Sequence, residues 1–402
     1  MNLRIKTFLI LMILLIFISI LLSGCSLLRG IIPSLPNKRT SASWTVMVYI
    51  GGDAADIEKS VWDSLDKMES VGSTDEVNIV VQLDPYTSCI GTYRYYVTGA
   101  EKWGDPPYYP ADIVDPLAEQ DMTDPNVLTE FIRWAQENYP AEHYLLILSG
   151  HGDGCIISST KGIITDDTNA VGNEINIPDL VESLEANDHI DILGFEACLM
   201  QMLEVAYEIG GAQDPPDYIV GSEGLAALNA TWSYDEFLEE LTNNPEMYAK
   251  KPEKLCKIIV KSYSDIQYKS LSVLHGYKDT NNIKEVIDSF AIALIHSQYQ
   301  SEIKKAKLDA KNYDSEDRIY KDLYDFAKKI RNDVPDCKIQ AKRVIDLVED
   351  LVYYRGTLGI FSLGSHGLSI YLPDTPEDYQ DYYYKDLQFA IDTKWDEFLK
   401  TH

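Results

Sequence analysis

Short apolar runs that alternate with helical repeats are the feature that most constrains the fold of this 402-residue chain. Residues 45–50 and 77–83 are β-branched apolar runs, and each is followed by glycine or by Asp-Pro. Such runs predict strands that are buried on both faces. Between them, apolar residues recur at helical spacing from Ile57 to Met68. The chain is therefore predicted to open with a strand, a helix and a parallel strand, joined by a right-handed crossover.

The same alternation continues toward the middle of the chain. A helix start signal at residues 123–125 precedes an apolar helical stripe, and residues 144–148 form the next buried run. Two further strands are predicted at 190–193 and 218–220, and two further helices at 178–184 and 199–209. Strands that alternate with helices predict an α/β fold, in which helices cover both faces of a mostly parallel sheet.

The C-terminal part of the chain has a different pattern. Residues 251–355 contain long, charged, amphipathic helices, which predict a helical subdomain with solvated outer faces and no assigned function. Residues 367–373 are strand-like again. The segment 356–402 is therefore predicted to return one strand to the sheet before a last helix at 387–399.

The N-terminal segment has the composition of an export signal. A short basic stretch precedes 15 uncharged residues, 8–22, which are fewer than the roughly 20 that a membrane-spanning helix needs. The run ends in Leu22-Ser23-Gly24-Cys25, which resembles the lipobox of bacterial lipoproteins. The resemblance implies a signal peptide at 1–24, a diacylglyceryl anchor on Cys25 and an extracytoplasmic location on the bacterial cell membrane. Residues 25–43 would be a tether; the alternative is an uncleaved anchor helix.

Charge excludes one class of partner. The chain has 35 Lys plus Arg against 64 Asp plus Glu, a formal net charge of −29. This balance would repel a phosphate backbone, so nucleic acid is not expected as a partner.

The number of cysteines means that they cannot all pair in disulfides within one chain. Five cysteines follow Cys25, and an odd number leaves at least one unpaired, while no CxxC metal pattern occurs. The spacing does not demand any disulfide. The five are Cys89, Cys155, Cys198, Cys256 and Cys337.

Two reactive side chains follow predicted strands. His151 comes after the strand at 144–148 and Cys198 after the strand at 190–193, 47 residues apart. Ligands of open α/β sheets bind beyond the carboxyl ends of the strands, so neighbouring strands would bring this imidazole and thiol into one pocket. Alone, each residue is more often structural, as a small buried thiol or a hydrogen-bonded loop histidine. Together they favour a nucleophile with its base.

The residues around this pair suit acyl transfer. A thiol that titrates near pH 8.5 is activated by a nearby imidazolium or a helix start, and Cys198 directly precedes the predicted helix at 199–209. Gly152 has no side chain to block approach, so its amide and that of Cys198 could bind a developing oxyanion.

Other catalytic motifs are absent from the sequence. It has no HExxH or EF-hand spacing, and no GxSxG, GxxxxGK[ST] or GxGxxG motif. These absences argue against zinc hydrolases, serine hydrolases, and nucleotide or dinucleotide sites. The sequence requires no cofactor and indicates no metal ligand, and calcium stays open.

Four segments together resemble clostripain-type cysteine peptidases. They are residues 44–50, 145–152, 195–200 and 367–371. The resemblance implies a caspase-like fold with a catalytic domain at 44–250 and protein or peptide substrates. It also implies that His151 and Cys198 form a dyad that hydrolyses peptide bonds through a thioacyl enzyme.

One residue departs from the family pattern. Relatives usually carry Asp two residues before the nucleophile, where it selects Arg or Lys in the S1 pocket, and this chain has Glu196. The resemblance therefore implies cleavage after Arg or Lys, with their relative preference open. The alternative is that Glu196 faces solvent or caps the following helix.

The resemblance also raises the question of processing. The family often matures by self-cleavage between the histidine and cysteine strands, and Lys161-Gly162 reads as an exposed hairpin tip there. Lys161 is therefore a candidate cut site, and an ordinary Lys-Gly turn is the alternative. A different class of function, a catalytically silent lipoprotein binding module on the same scaffold, stays open because fold alone does not determine function.

Overall fold

Across the described residues, nine strands form one mixed sheet around which the helices pack. The computed structural model describes residues 41–86, 91–99, 113–155, 163–168, 174–225, 231–263, 270–313, 319–356 and 359–402. The predicted leader, Cys25 and Lys161 lie outside these ranges. The strands of the sheet are β1 (Ala42–Gly52), β2 (Val77–Pro85), β3 (Tyr93–Tyr96), β4 (Ile113–Pro116), β5 (Ala141–Ser149), β6 (Ile192–Glu196), β7 (Tyr218–Ser222), β8 (Leu271–Leu274) and β10 (Val352–Arg355).

The helices fall into an N-terminal and a C-terminal group. The first comprises α1 (Glu58–Glu69), α2 (Pro125–Asn138), α3 (Ile177–Glu185), α4 (Leu203–Gly210), α5 (Tyr234–Asn243), α6 (Pro245–Ala249) and α7 (Pro252–Ser262). The second comprises α8 (Thr280–His296), α9 (Gln300–Asp309), α10 (Leu323–Asp333), α11 (Lys338–Leu351), α12 (Asp381–Tyr384), α13 (Gln388–Asp392) and α14 (Trp395–Thr401). Short 3-10 turns occur at Pro335–Cys337, Ile360–Ser362 and Pro376–Asp378.

The centre of the sheet is parallel and its two margins are antiparallel. The strand order is β10-β8-β7-β6-β5-β1-β2-β3-β4, in which β7, β6, β5, β1 and β2 run parallel. The outer pairs β8–β10 and β3–β4 add antiparallel strands at either edge. Because β1 is followed by β2 on one side and by β5 on the other, a topological switch point lies between β1 and β5.

Each face of the sheet builds its own core. Alternate residues of β1 point to opposite faces: Met47 and Tyr49 join one cluster, whereas Val46 and Val48 join the other. The first cluster takes in α2–α4 and the C-terminal helices, and the second takes in α1, α5 and α7. Burial on both faces explains why the parallel strands are continuous apolar runs. The predicted α/β fold with helices on both faces is confirmed.

The predicted start of α2 is also confirmed at atomic level. Asp124 is extended at the N-cap, its carboxylate accepts a hydrogen bond from the Asn126 amide at 2.9 Å, and Pro125 occupies the first turn. Such a cap satisfies one amide that the first helical turn leaves without an intrahelical partner.

Two predicted C-terminal elements differ from the structure. The strand at 367–373 is β11 (Ser369–Tyr371), which pairs with β9 (Tyr320–Asp322) in a separate antiparallel pair, because β10 occupies the edge beside β8. The single helix predicted at 387–399 is interrupted between α13 and α14. Thr393 is extended there, and its hydroxyl accepts the Trp395 amide and donates to the Phe389 carbonyl.

The described ranges contain no helix that is both long and apolar enough to cross a bilayer.

Candidate active site

The two strand ends that carry His151 and Cys198 are neighbours. β5 and β6 pair in parallel with Ser149 opposite Glu196, and the Gly150 amide donates to the Glu196 carbonyl at 3.3 Å. Each reactive residue follows its strand by two positions, so both project from the same edge of the sheet. His151 and Cys198 line one pocket.

Gly152 packs directly against the cysteine loop. A Cβ atom at Gly152 would lie 2.3 Å from the Cys198 carbonyl oxygen and 2.9 Å from its amide nitrogen. These contacts are with backbone, which cannot rotate away as a side chain would. The loop that carries the histidine can therefore approach the loop that carries the cysteine only because residue 152 is glycine.

The backbone after the cysteine is a strained turn followed by non-helical residues, which corrects the predicted helix at 199–209. Leu199 has φ of 60°, in the left-handed region that leucine rarely adopts. Its amide donates to the Gly224 carbonyl and that of Gln201 to the Ser222 carbonyl, and Met202 forms a bridge with Ser369. Because β7 and the segment that follows it accept these amides, α4 begins only at Leu203.

This correction changes how the thiol could be activated. With Leu203 as its first residue, α4 starts one turn beyond the position that the sequence suggested, so its first-turn amides are not adjacent to Cys198. The helix dipole acts mainly within the first turn. Activation of the Cys198 thiol therefore has to come from the imidazole and local backbone rather than from a helix start. Backbone strain of about 1–3 kcal/mol, as at Leu199, is characteristic of functional sites.

His151 has a carboxylate partner that sequence reasoning missed. Its Nε2 lies 3.1 Å from Asp56 Oδ1, where Asp56 is in the loop between β1 and α1. An ionised carboxylate can only accept, so this contact assigns the hydrogen to Nε2 and leaves Nδ1 as the basic nitrogen. The position of Asp56 shortly after a predicted strand was the only sign of this contact in the sequence. To use it, one would have to know that β1 is the neighbour of β5.

Glu196 is held in the pocket wall by two donors. Its Oε1 accepts the Trp232 amide at 2.6 Å and its Oε2 accepts the Tyr234 hydroxyl at 2.5 Å. Burial raises the pKa of Glu196, and these hydrogen bonds, together with Ser149 and Lys67, oppose the rise. The carboxylate neither points into solvent nor caps a helix.

Apolar and hydroxyl-bearing side chains also line the pocket. Helix α1 and the residue before it contribute Ile57, Ser60, Val61 and Ser64, and Trp232 closes the side next to Glu196. Trp232 fits because β6 has glycine at 194: a Cβ atom there would lie 3.0 Å from the indole ring. The pocket therefore combines a carboxylate with apolar and hydroxyl-bearing side chains.

The remaining cysteines in the described ranges are structural in character. Cys155, Cys256 and Cys337 are buried, whereas Cys198 is partly exposed, and none of the four forms a disulfide. Burial raises the pKa of the Cys155 and Cys256 thiols well above the usual value, and that of Cys337 to about 11. Burial therefore disfavours the thiolate form at these three positions.

Comparisons with known proteins agree with this architecture. The clostripain family model matches residues 48–402. Clostripain from Hathewaya histolytica is 25% identical over 416 residues, which cover 88% of this chain and 78% of that protein.

Two solved structures share the fold. A secreted C11 cysteine protease from Bacteroides thetaiotaomicron, in complex with an irreversible peptide inhibitor, has a TM-score of 0.65 at 20% identity, covering 88% of this chain and 100% of that chain. An inactive zymogen C11 protease from Parabacteroides distasonis has a TM-score of 0.62 at 20% identity, covering 88% and 99%. The caspase-like fold that the sequence resemblance implies is confirmed.

Proposed function

Because the chain belongs to the clostripain family, it is a cysteine peptidase, and we propose that Cys198 is its nucleophile and His151 its proton-transfer group. One observation carries the proposal. The parallel register of β5 and β6, with Ser149 opposite Glu196, brings both residues to one edge of the sheet and into the lining of one pocket.

The chemistry follows from the donors and acceptors of the site. His151 Nδ1 takes the thiol proton, and the thiolate attacks the carbonyl carbon of the scissile peptide bond. The amides of Gly152 and Cys198 bind the resulting oxyanion. The imidazolium then protonates the leaving amine, which leaves a thioester. Water attacks the thioester after His151 removes its proton, the acid product departs, and the thiol is restored.

Asp56 has a positioning role in this scheme. Its carboxylate holds the Nε2 hydrogen of His151, so the ring keeps Nδ1 available to the thiol through both half-reactions.

Glu196 supports a preference for Arg or Lys at P1. Its carboxylate is partly buried in the pocket wall and accepts hydrogen bonds from neutral groups, the Trp232 amide and the Tyr234 hydroxyl. Burial raises its pKa, so a guanidinium or ammonium that enters the pocket would supply the compensating charge. The longer Glu side chain, compared with Asp, shortens the pocket for that cation.

Substitution of the proposed nucleophile tests the function. Cys198→Ala should abolish hydrolysis of short peptides with Arg or Lys at P1, whereas Cys337→Ala, the matched control at a buried thiol, should keep it. Retained turnover in Cys198→Ala would reject the assignment, and so would equal losses in both variants. A peptide library profiled at P1 measures the preference separately from the nucleophile.

The lipid anchor on Cys25 is a further part of the proposal. The small residues before Cys25 and the 15-residue uncharged run support lipidation and a location outside the cytoplasmic membrane. A lipid-labelled analogue supplied to expressing bacteria should appear on the wild-type chain and not on Cys25→Ser. Labelling of both would contradict the assignment.

We also propose Lys161 as a self-cleavage site. It lies between the strands of His151 and Cys198, and Lys suits the P1 preference that Glu196 supports. Incubated wild-type enzyme should give two fragments that join at residue 161, and Lys161→Ala should stay intact. A wild-type chain that remains single while active rejects the site.

A further inference from the structure

The lysine in the last turn of α1 reaches the wall of the pocket that contains His151 and Cys198. The Lys67 ammonium donates to the Thr231 hydroxyl and to the Trp232 carbonyl, the latter at 3.1 Å. Thr231 and Trp232 both line the pocket. Lys67 therefore joins α1 to a segment of the pocket wall that lies 164 and 165 residues further along the chain.

The position of α1 itself is fixed by other contacts. Leu65 and Met68 are buried in the core cluster on that face of the sheet. Asp63, one turn before Lys67, is already paired with Lys59 at 2.5 Å. The half-buried Lys67 ammonium is therefore not needed to hold the helix and can serve the pocket wall.

Trp232 connects this ammonium to the carboxylate of the pocket. Its carbonyl accepts the hydrogen bond from Lys67, and its amide donates to Glu196 Oε1 at 2.6 Å. The indole of the same residue packs over Gly194, where a Cβ atom would lie 3.0 Å from the ring. Displacement of Trp232 would therefore move the side of the pocket and a hydrogen-bond donor of Glu196 together.

The charge of Lys67 also acts on Glu196. Burial raises the pKa of Glu196, and hydrogen bonds from Tyr234, Trp232 and Ser149 oppose the rise, as does the positive charge of Lys67. Lys67 and Glu196, which both belong to the described part of the chain, form no direct ion pair, so this charge acts from a distance. The other titratable side chains that line the pocket are His151, Cys198 and Tyr263.

We propose that Lys67 is a positioning residue for the P1 pocket: its ammonium holds residues 231 and 232 against α1, so that Glu196 stays in place for the cation of an Arg or Lys side chain. This role of Lys67 rests on the P1 role proposed above for Glu196. Hydrogen bonds from a charged donor are stronger than those between neutral groups, which suits an ammonium to this task. Lys67 also repels an incoming cation, but its hydrogen bonds to the wall are direct, so loss of these bonds outweighs relief of the repulsion.

Removal of the ammonium with retention of an unbranched side chain tests this role. Steady-state kinetics of Lys67→Met are measured with two peptides that differ only in Arg or norleucine at P1. We expect KM for the Arg peptide to rise by about tenfold with kcat within about twofold of wild type, and the kinetics of the norleucine peptide to be nearly unchanged. Lys67→Arg keeps a charged donor and should recover most of the loss. Lys59→Met, the matched control on the same helix, should leave both peptides unaffected.

The pH dependence distinguishes this role from a general loss of structure. A carboxylate holds its proton to higher pH when a nearby cation is removed, so the pKa of Glu196 should be higher in Lys67→Met. The acidic limb of kcat/KM for the Arg peptide should therefore move to higher pH, whereas the limb for the norleucine peptide should not move. Thermal unfolding of each variant checks that the chain is folded.

Glu196→Gln separates failure of this role from failure of the proposed P1 preference. If Glu196→Gln still prefers the Arg peptide, the P1 role of Glu196 is wrong and the role of Lys67 falls with it. If Glu196→Gln loses the preference, three results for Lys67→Met overturn the role of Lys67 alone: wild-type kinetics, a stronger preference for Arg, or equal losses on both peptides. In the double variant, Lys67→Met should not lower the preference further.

Discussion

Substitution of Gly152 by alanine tests the geometry of the proposed oxyanion site. The added Cβ would lie 2.3 Å from the Cys198 carbonyl oxygen, whereas an ordinary carbon–oxygen contact is about 3.3 Å. One loop must therefore move by about 1 Å relative to the other. A displacement of that size can cost about a hundredfold in rate, and loss of one oxyanion donor costs about a hundredfold to a thousandfold. We expect kcat of Gly152→Ala to fall by about a hundredfold to a thousandfold.

The assay compares this variant with a neighbouring glycine. A Cβ atom at Gly150 would meet nothing closer than 3.4 Å, so Gly150→Ala should lose far less activity. Steady-state kcat and KM are measured with a peptide that carries Arg at P1, and thermal unfolding checks that each variant is folded. Overpacking of this kind costs about 1–3 kcal/mol, which a domain of this size should tolerate. If Gly152→Ala keeps kcat within about threefold of wild type, or loses no more activity than Gly150→Ala, close approach of the His151 and Cys198 loops is not required for catalysis.

Three further predictions concern charge. Glu196→Gln should lower kcat/KM for Arg at P1 by about 10- to 100-fold and leave a neutral P1 nearly unchanged, and parallel losses on both peptides would contradict the pocket role. Asp56→Ala should lower kcat/KM by about tenfold, because it releases the His151 ring. Asp56→Asn can still accept the Nε2 hydrogen and should recover part of the lost kcat/KM. Unchanged kinetics in Asp56→Ala would exclude the positioning role. Burial raises the pKa of Glu204 to about 7, so the folded state holds a proton there that the unfolded chain releases above its ordinary pKa of 4.5. The free energy of unfolding should therefore fall as pH rises from about 5 to 7, by up to about 1.4 kcal/mol per pH unit, and denaturant titrations should show a flatter profile for Glu204→Gln.

The strands of the parallel sheet could be predicted because a strand that is buried on both faces has a continuous run of apolar residues. For the same reason, His151 and Cys198, which follow two of those runs, could be predicted to lie at one edge of the sheet, since the carboxyl ends of parallel strands share an edge. Gly152 directly follows His151, and Glu196 lies two residues before Cys198. Residues of the proposed site could therefore be predicted where they lie close to one another along the chain.

The features that the sequence did not reveal depend on strand order and on distant contacts. Asp56 reaches His151 only because β1 is the neighbour of β5, and Tyr234 reaches Glu196 across 38 residues. Residues 199–202 were predicted to be helical, yet the amides of Leu199 and Gln201 donate to Gly224 and Ser222 at the end of β7, and Leu199 takes a left-handed conformation. Apolar spacing indicates where a helix could form, but at residues 199–202 hydrogen bonds to distant parts of the chain override that tendency.

The arrangement also explains why one described cysteine differs from the rest. Three thiols are buried, which disfavours the thiolate, and Cys198 lies two residues beyond β6 in the pocket that His151 also lines. Sequence alone ranks the cysteines only by their position after a strand. The structure adds burial, which is the property that controls thiol reactivity.

Mapping a covalent adduct shows whether the Cys198 sulfur and the His151 imidazole act together. The chain is incubated with a chloromethyl ketone peptide that carries Arg at P1, and the modified residue is located by mass spectrometry. We expect a single adduct on Cys198, formed much more slowly in His151→Ala and not at all in Cys198→Ala. An adduct on Cys155, Cys256 or Cys337, or equally fast modification of Cys198 without the imidazole, would contradict it.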